Sequence, residues 1–220
     1  MVDDRRSVLV VGASAAGLRC ACRLARLKPN WTVRVVEARE VFSYAACGLP
    51  YALSGDVGEP EALRRTDYGV TRDPEYFDRY KGIEILAGYR AAKLDVHRQV
   101  LKVQTAAGSR KELPWDELVL ATGAVPRRLK GQSDHPDVVT FHTWEDLEPL
   151  KHRLARGELE RVALVGAGLV GCELAEAFRS LWGAEVALLE AEPAPLPRLN
   201  DDATYSLSPV LGRWSSIELP

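Results

Sequence analysis

The sequence predicts an α/β fold: two strand–helix–strand units, the second incomplete, with a small β-meander between them. Three observations carry this expectation. Apolar runs at 8–11 and 162–165 have the continuous character of buried parallel strands. Each run ends in a glycine turn, opening at Gly12 and at Gly166, and each turn leads into a stretch suited to a helix. A second apolar run then closes each unit, at 33–37 and 185–190.

The elements follow in order. Residues 15–28 are rich in Ala, Leu and Arg and predict a helix that Pro29-Asn30 stops. Arg34 interrupts the otherwise apolar strand that follows. Asp73-Pro74 reads as a cap followed by a first-turn proline, opening a short helix through Tyr80. Residues 83–86, 89–96 and 99–105 read as strands, with a turn near His97-Arg98. Residues 117–120 form a further strand, ending in Ala121-Thr122-Gly123. Thr143-Trp144-Glu145-Asp146 matches a capping box that opens a helix through Arg156, and Gly157 closes it. A helix fits 169–182. After Glu190 come Pro193, Pro195 and Pro197, then a polar stretch to Pro220 with no further βα period. The expected domains are 1–145 for the first nucleotide site and 146–200 for the start of the second, with 201–220 an atypical tail.

Composition narrows the function classes. The 220 residues allow one large or two modest domains, and 46% hydrophobic with 27% charged residues is ordinary for a globular protein. A net charge of −2 offers no general attraction to nucleic acid or an anionic membrane. No apolar run approaches the about 18 residues that span a bilayer. Asp3-Asp4 argues against a signal peptide, so a cytoplasmic location is expected. Cys20, Cys22, Cys47 and Cys172 include no C-x-x-C pair, so a metal site is not expected. Cys20 and Cys22 diverge on their helix and read as small packed thiols. His97, His135, His142 and His152 match no catalytic position.

The glycine turns carry the chemistry. The first reads Gly12-Ala13-Ser14-Ala15-Ala16-Gly17, with serine where the second glycine of G-x-G-x-x-G would stand. The first glycine permits the tight turn and the last permits close helix–strand packing. Ser14 crowds an approaching pyrophosphate slightly. The helix start then offers free N–H groups and partial positive charge to phosphates. Glu37 ends the next strand, where an acid that accepts from ribose hydroxyls belongs, and Ala38-Arg39 follows it. The second turn is complete: Gly166-Ala167-Gly168-Leu169-Val170-Gly171, with Glu190 after the next strand. A carboxylate there favours NADH over NADPH. Two dinucleotides in one chain imply an electron relay, with a flavin and a nicotinamide as the expected pair.

Phe42-Ser43-Tyr44-Ala45-Ala46-Cys47-Gly48-Leu49-Pro50-Tyr51 begins five residues after Glu37. Gly48 and Pro50 mark a turn or helix start just after the thiol, a setting that favours a reactive thiolate. With the glycine turns, Glu37 and Ala121-Thr122-Gly123, this segment resembles the pyridine nucleotide–disulfide oxidoreductases. It is most similar to their single-cysteine branch: coenzyme A disulfide reductases, NAD(P)H persulfide or sulfur reductases, and NADH oxidases. Cys-Gly-Leu-Pro-Tyr leans toward the first two, while Tyr44 departs from the family's usual phenylalanine.

The resemblance runs from about residue 8 to about 199. It implies two Rossmann-like units of the glutathione reductase type, with FAD on the Gly12 unit and NADH, or NADPH, on the Gly166 unit. It also implies a small disulfide or sulfur substrate, such as a coenzyme A derivative, and a homodimer for full-length members. Cys47 would be the catalytic thiol with Ser43 beside it. Arg26, with Arg19 and Arg23 nearby, would hold the coenzyme A nucleotide. Thr122-Gly123 would contact FAD, and Glu173 would face the nicotinamide. Phe42 and Ala52 stand where a second cysteine would lie five residues away, so no local disulfide is available. A lone thiol can alternate with a mixed disulfide, a persulfide or a sulfenic acid. The NADH oxidase or peroxidase chemistry of a sulfenic acid is thus an alternative. Family members are about twice this long by resemblance, so a truncated fragment or a subunit needing a partner is a further alternative.

Overall fold

The computed structural model describes residues 5–192, 194–196 and 215–216. In chain order the strands and α-helices are β1 (Ser7–Val11), α1 (Ala15–Leu27), β2 (Thr32–Val36), α2 (Leu49–Ser54), α3 (Pro74–Lys81), β3 (Ile83–Leu86), β4 (Tyr89–Asp95), β5 (Val100–Thr105), β6 (Arg110–Pro114), β7 (Glu117–Leu120), α4 (Trp144–Ala155), β8 (Arg161–Val165), α5 (Leu169–Ser180), β9 (Glu185–Glu190) and β10 (Ser215–Ser216). The α/β architecture and the two βαβ units are as the sequence predicts.

Contacts divide the chain into two units. The first takes the described residues up to Ala45 and then Glu61–Gly131. The second takes Ala46–Pro60 and the described residues from Gln132 onward. This division differs from the expected boundary after 145, because α2 packs within the second unit against α4 and α5. Leu49 and Leu53 are fully buried there, and the Trp182 indole donates to the Leu53 carbonyl at 2.8 Å.

In the first unit a parallel sheet runs β3-β2-β1-β7. Its strands read as near-continuous apolar runs because both faces are covered. On one face Val8, Val10, Val33 and Val35 pack with Leu18 and Ala21 of α1 and Phe77 of α3. On the other, Leu9, Val11 and Val36 pack with Leu101, Val103 and Leu113 of the antiparallel β4-β5-β6 meander. Strand β6 was not expected. Its sequence, Arg-Lys-Glu-Leu-Pro, buries only Leu113, so the apolar pattern is nearly silent.

In the second unit β8 and β9 pair in parallel, and the two-residue β10 pairs in parallel with the end of β9. The expectation of no further βα period after Glu190 falls mostly on residues outside the described ones, among which only this short strand follows β9. Two residues carry too little periodicity to be seen in sequence. Helix α4 has the expected capping box, with Asp146 accepting from the Thr143 backbone at 2.7 Å. The rest of 201–220 lies outside the described residues.

Candidate functional site

The first glycine turn is built by packing. Gly12 sits at φ +109°, a conformation that favours glycine. A Cβ there would collide with the Ala121 carbonyl oxygen, and a Cβ on Gly17 would collide with the Gly12 carbonyl oxygen. The end of β7 therefore lies directly against the turn, with the Ala121 N–H donating to the Val11 carbonyl at 2.8 Å. Ser14 caps α1 in extended backbone without a side-chain cap bond, and Ala15 and Ala16 are exposed beside it. The backbone at the helix start is thus accessible.

Glu37 clips this turn to the strand that follows. It is 9% exposed, and its carboxylate accepts from the Ala13 N–H at 2.8 Å and the Arg39 N–H at 3.0 Å. Ser43 joins from the other side: its N–H donates to the Ala13 carbonyl at 3.2 Å. Ser43 is buried and held at φ +57°, a left-handed conformation that costs a non-glycine residue about 1 kcal/mol or more. The structure thus gathers Gly12, Ala13, Gly17, Glu37, Arg39, Ser43 and Ala121 around one turn. Thr122 and Gly123 follow as exposed residues, and the Thr122 backbone nitrogen lies beside Gly12.

The second turn repeats the local geometry. Gly166 has φ +102°, and a Cβ on Gly171 would collide with the Gly166 carbonyl oxygen. The Glu190 carboxylate accepts from the Ala167 N–H at 2.7 Å, as Glu37 does from Ala13. It also accepts from the N–H groups of Ala191 and Glu192. Burial pushes the Glu190 carboxyl up, but the backbone donors Glu192, Ala167 and Ala191 outweigh it and hold it below the usual range. Leu169 and Val170 are 62% and 50% exposed at the start of α5, and Glu173 is half-buried. Cys172 donates to the Ala167 carbonyl, and burial pushes its thiol up, which suits packing.

Cys47 lies in a short 3-10 turn, Ala46–Gly48, that leads straight into α2. It is exposed, and its thiol is free. Pro50 occupies the first turn of α2 and lacks the N–H that would go unpaired there. Arg19, Arg23 and Arg26 form one exposed stripe on α1, and with Ala15, Ala16 and Cys20 they line a shallow groove. Burial pushes up the Cys22 thiol on the same helix, against the pull of Lys81, Arg26 and Arg19. Among the described residues no cluster of His, Cys, Asp and Glu could hold a metal, and no helix is long and apolar enough to cross a membrane.

Residues 6–211 match the family model for pyridine nucleotide-disulphide oxidoreductases. The chain belongs to this family. It is 33% identical over 180 residues to the NAD(P)H sulfur oxidoreductase (CoA-dependent) of Pyrococcus abyssi, covering 81% of this chain and 38% of the relative. The NAD-dependent persulfide reductase from A. fulgidus superposes with a TM-score of 0.87 at 34% identity, covering 96% of this chain and 39% of that one. A water-forming NADH oxidase from Lactobacillus brevis, solved with NADH, superposes with a TM-score of 0.81 at 25% identity, covering 96% of this chain and 46% of that one. The chain thus spans less than half the length of these proteins.

Family membership explains the paired turns but leaves some functional geometry that sequence reasoning missed. The acid-to-turn hydrogen bonds and the strained Ser43 backbone belong to this group. Neither has a sequence signature, because both depend on where the strand ends meet.

Proposed function

We propose that the chain is the nucleotide-binding part of a flavoprotein reductase that passes electrons from NAD(P)H through FAD to Cys47, and on to a disulfide, persulfide or polysulfide. The observation that carries this reading is the pair of glycine turns, each clipped by a strand-end glutamate, with the exposed Cys47 ten residues after Glu37 in the sequence. Bare backbone at each helix start fits a pyrophosphate, and each glutamate retains acceptor capacity for ribose hydroxyls. FAD fits the Gly12 unit and NADH the Gly166 unit. When bound, the two groups supply hydride and electron transfer.

Cys47 does the sulfur chemistry. Its thiolate attacks one sulfur of the substrate disulfide, a bond forms between Cys47 and that sulfur, and the other sulfur leaves as a thiolate. Two electrons from NAD(P)H then break the bond between Cys47 and that sulfur, restoring the Cys47 thiolate and releasing the bound sulfur as a second thiolate. Ser43, pinned to the Gly12 turn, positions the start of the cysteine segment. Arg19, Arg23 and Arg26 offer three cations to an anionic nucleotide such as that of coenzyme A. The names of the sulfur and persulfide reductases that it resembles support this substrate class. The full-length enzyme is expected to be a homodimer in the cytoplasm.

A second reading has an observation of its own. Cys47 is exposed and in no disulfide, which also suits a sulfenic acid formed when the thiolate attacks a peroxide and hydroxide leaves, as an NADH oxidase would use. NADH consumption should be measured with coenzyme A disulfide, polysulfide, a persulfide and oxygen, with and without added FAD. Faster turnover on the sulfur substrates, lost in Cys47→Ser, is expected. Turnover on oxygen alone would favour the oxidase reading, and sulfur-dependent turnover that survives the substitution would remove Cys47 as nucleophile.

A further inference from the structure

Glu190 is bound to backbone more heavily than its counterpart Glu37. Its Oε2 accepts from the Ala167 N–H at 2.7 Å. Its Oε1 accepts from two consecutive groups, the N–H of Ala191 at 2.8 Å and that of Glu192 at 3.1 Å. A carboxylate has about four acceptor sites, two on each oxygen. Three are taken, so one remains, on Oε2, for a ribose hydroxyl. Glu37 differs: its second oxygen accepts from Arg39 alone of the residues after the strand.

The Ala191 and Glu192 amides lie just past the carboxyl end of β9, where the ribose of a dinucleotide seated on the Gly166 turn belongs. Successive N–H groups aimed at one point make an anion-binding concavity. Here the chain's own carboxylate fills it. Beyond the repulsion that its charge already implies, we propose that Glu190 rejects a 2′-phosphate by occupying the Ala191 and Glu192 amides that would otherwise hold that phosphate. The exposed Glu192 side chain adds a second negative charge at the same place. Cofactor choice is thereby set by amide occupancy as well as by repulsion. This inference rests on the reading of the Gly166 turn as the nicotinamide dinucleotide site.

Two variants separate the terms. Glu190→Gln removes the charge and keeps an oxygen for the two amides, whereas Glu190→Ala removes the charge and frees them. ADP-ribose and 2′-phospho-ADP-ribose are titrated against the 220-residue chain, and hydrogen exchange of the peptide spanning 166–171 reports binding to this turn. Wild type should bind ADP-ribose in preference. The ratio of 2′-phosphate to 2′-hydroxyl affinity should be about tenfold higher in Glu190→Ala than in Glu190→Gln, the scale of one or two charge-assisted hydrogen bonds. Equal ratios would overturn the proposal. A second measurement needs no variant: in the ligand-free protein the Ala191 and Glu192 amides should exchange slowly by NMR, and fast exchange at both would also overturn it. If neither ligand protects 166–171 in wild type, the nucleotide reading of this unit itself fails.

Discussion

The two glycine turns are nearly superimposable in local chemistry and opposite in surroundings. Both first glycines have positive φ, both last glycines pack on the first glycine's carbonyl, and both acids clip the turn. Yet Val11, the residue before Gly12, is 6% exposed, while Val165, before Gly166, is 54% exposed. Strand β1 is flanked by β2 and β7 and covered on both faces, whereas β8 pairs, among the described residues, with β9 alone. The difference teaches that the turn is a local device. Strand–turn–helix geometry and one carboxylate suffice to shape it, but its rigidity comes from what packs behind it.

That contrast can be broken by matched substitutions. Gly12→Ala should have the largest effect, because the added methyl meets the Ala121 carbonyl as well as the strained φ. A loss of about 3 kcal/mol or more is expected. Gly166→Ala carries only the φ strain, with no atom of the described residues within 4 Å of the added methyl, and should cost about 1–2 kcal/mol. Urea unfolding followed by hydrogen exchange of peptides from each unit would measure both. Equal costs would show that the second turn is packed as tightly as the first.

A smaller effect is expected one residue earlier. Val11→Thr buries a hydroxyl in the core between sheet and meander and should cost about 1–3 kcal/mol. Val165→Thr, at the exposed position, should change stability by no more than about 0.5 kcal/mol. Thermal unfolding of the pair would sharpen or erase the distinction.

The smallest effect concerns acid. The Glu190 carboxyl is held below the usual glutamate value of 4.5 in the folded chain. A depressed folded value means that the ionised carboxylate stabilises the fold above that pH, and that this contribution is lost as pH falls through the folded value. Glu190→Gln should therefore flatten the acid limb of the second unit's stability curve by lowering neutral stability toward the acid value. An unchanged acid limb would show that the three backbone hydrogen bonds contribute little in solution.

Much of the fold was legible because its signals are short-range. Buried parallel strands announce themselves as apolar runs, Asp73-Pro74 and Thr143–Asp146 mark helix starts, and the glycine spacing fixes a turn. The Asp73 carboxylate does accept from the Tyr76 N–H, as that cap predicts. Strand β6 was missed because a charged edge strand buries one side chain, and β10 because it is two residues long. In the site, Gly12, Glu37, Gly166 and Glu190 could be named from spacing alone. The left-handed Ser43 could not, since a serine gives no local hint of positive φ.

Sequence by itself determined that this chain has two dinucleotide-type βαβ units, where each turn opens, and which acid closes each. These are contacts made within about 25 residues, encoded by residue size and charge at fixed spacing. Only the tertiary structure decided that the end of β7 packs against the first turn while, among the described residues, β8 pairs with β9 alone, that α2 beside Cys47 packs with α4 and α5, and that Glu190 consumes the amides that follow it. Those outcomes depend on which distant surfaces meet, and no local pattern of side chains records that.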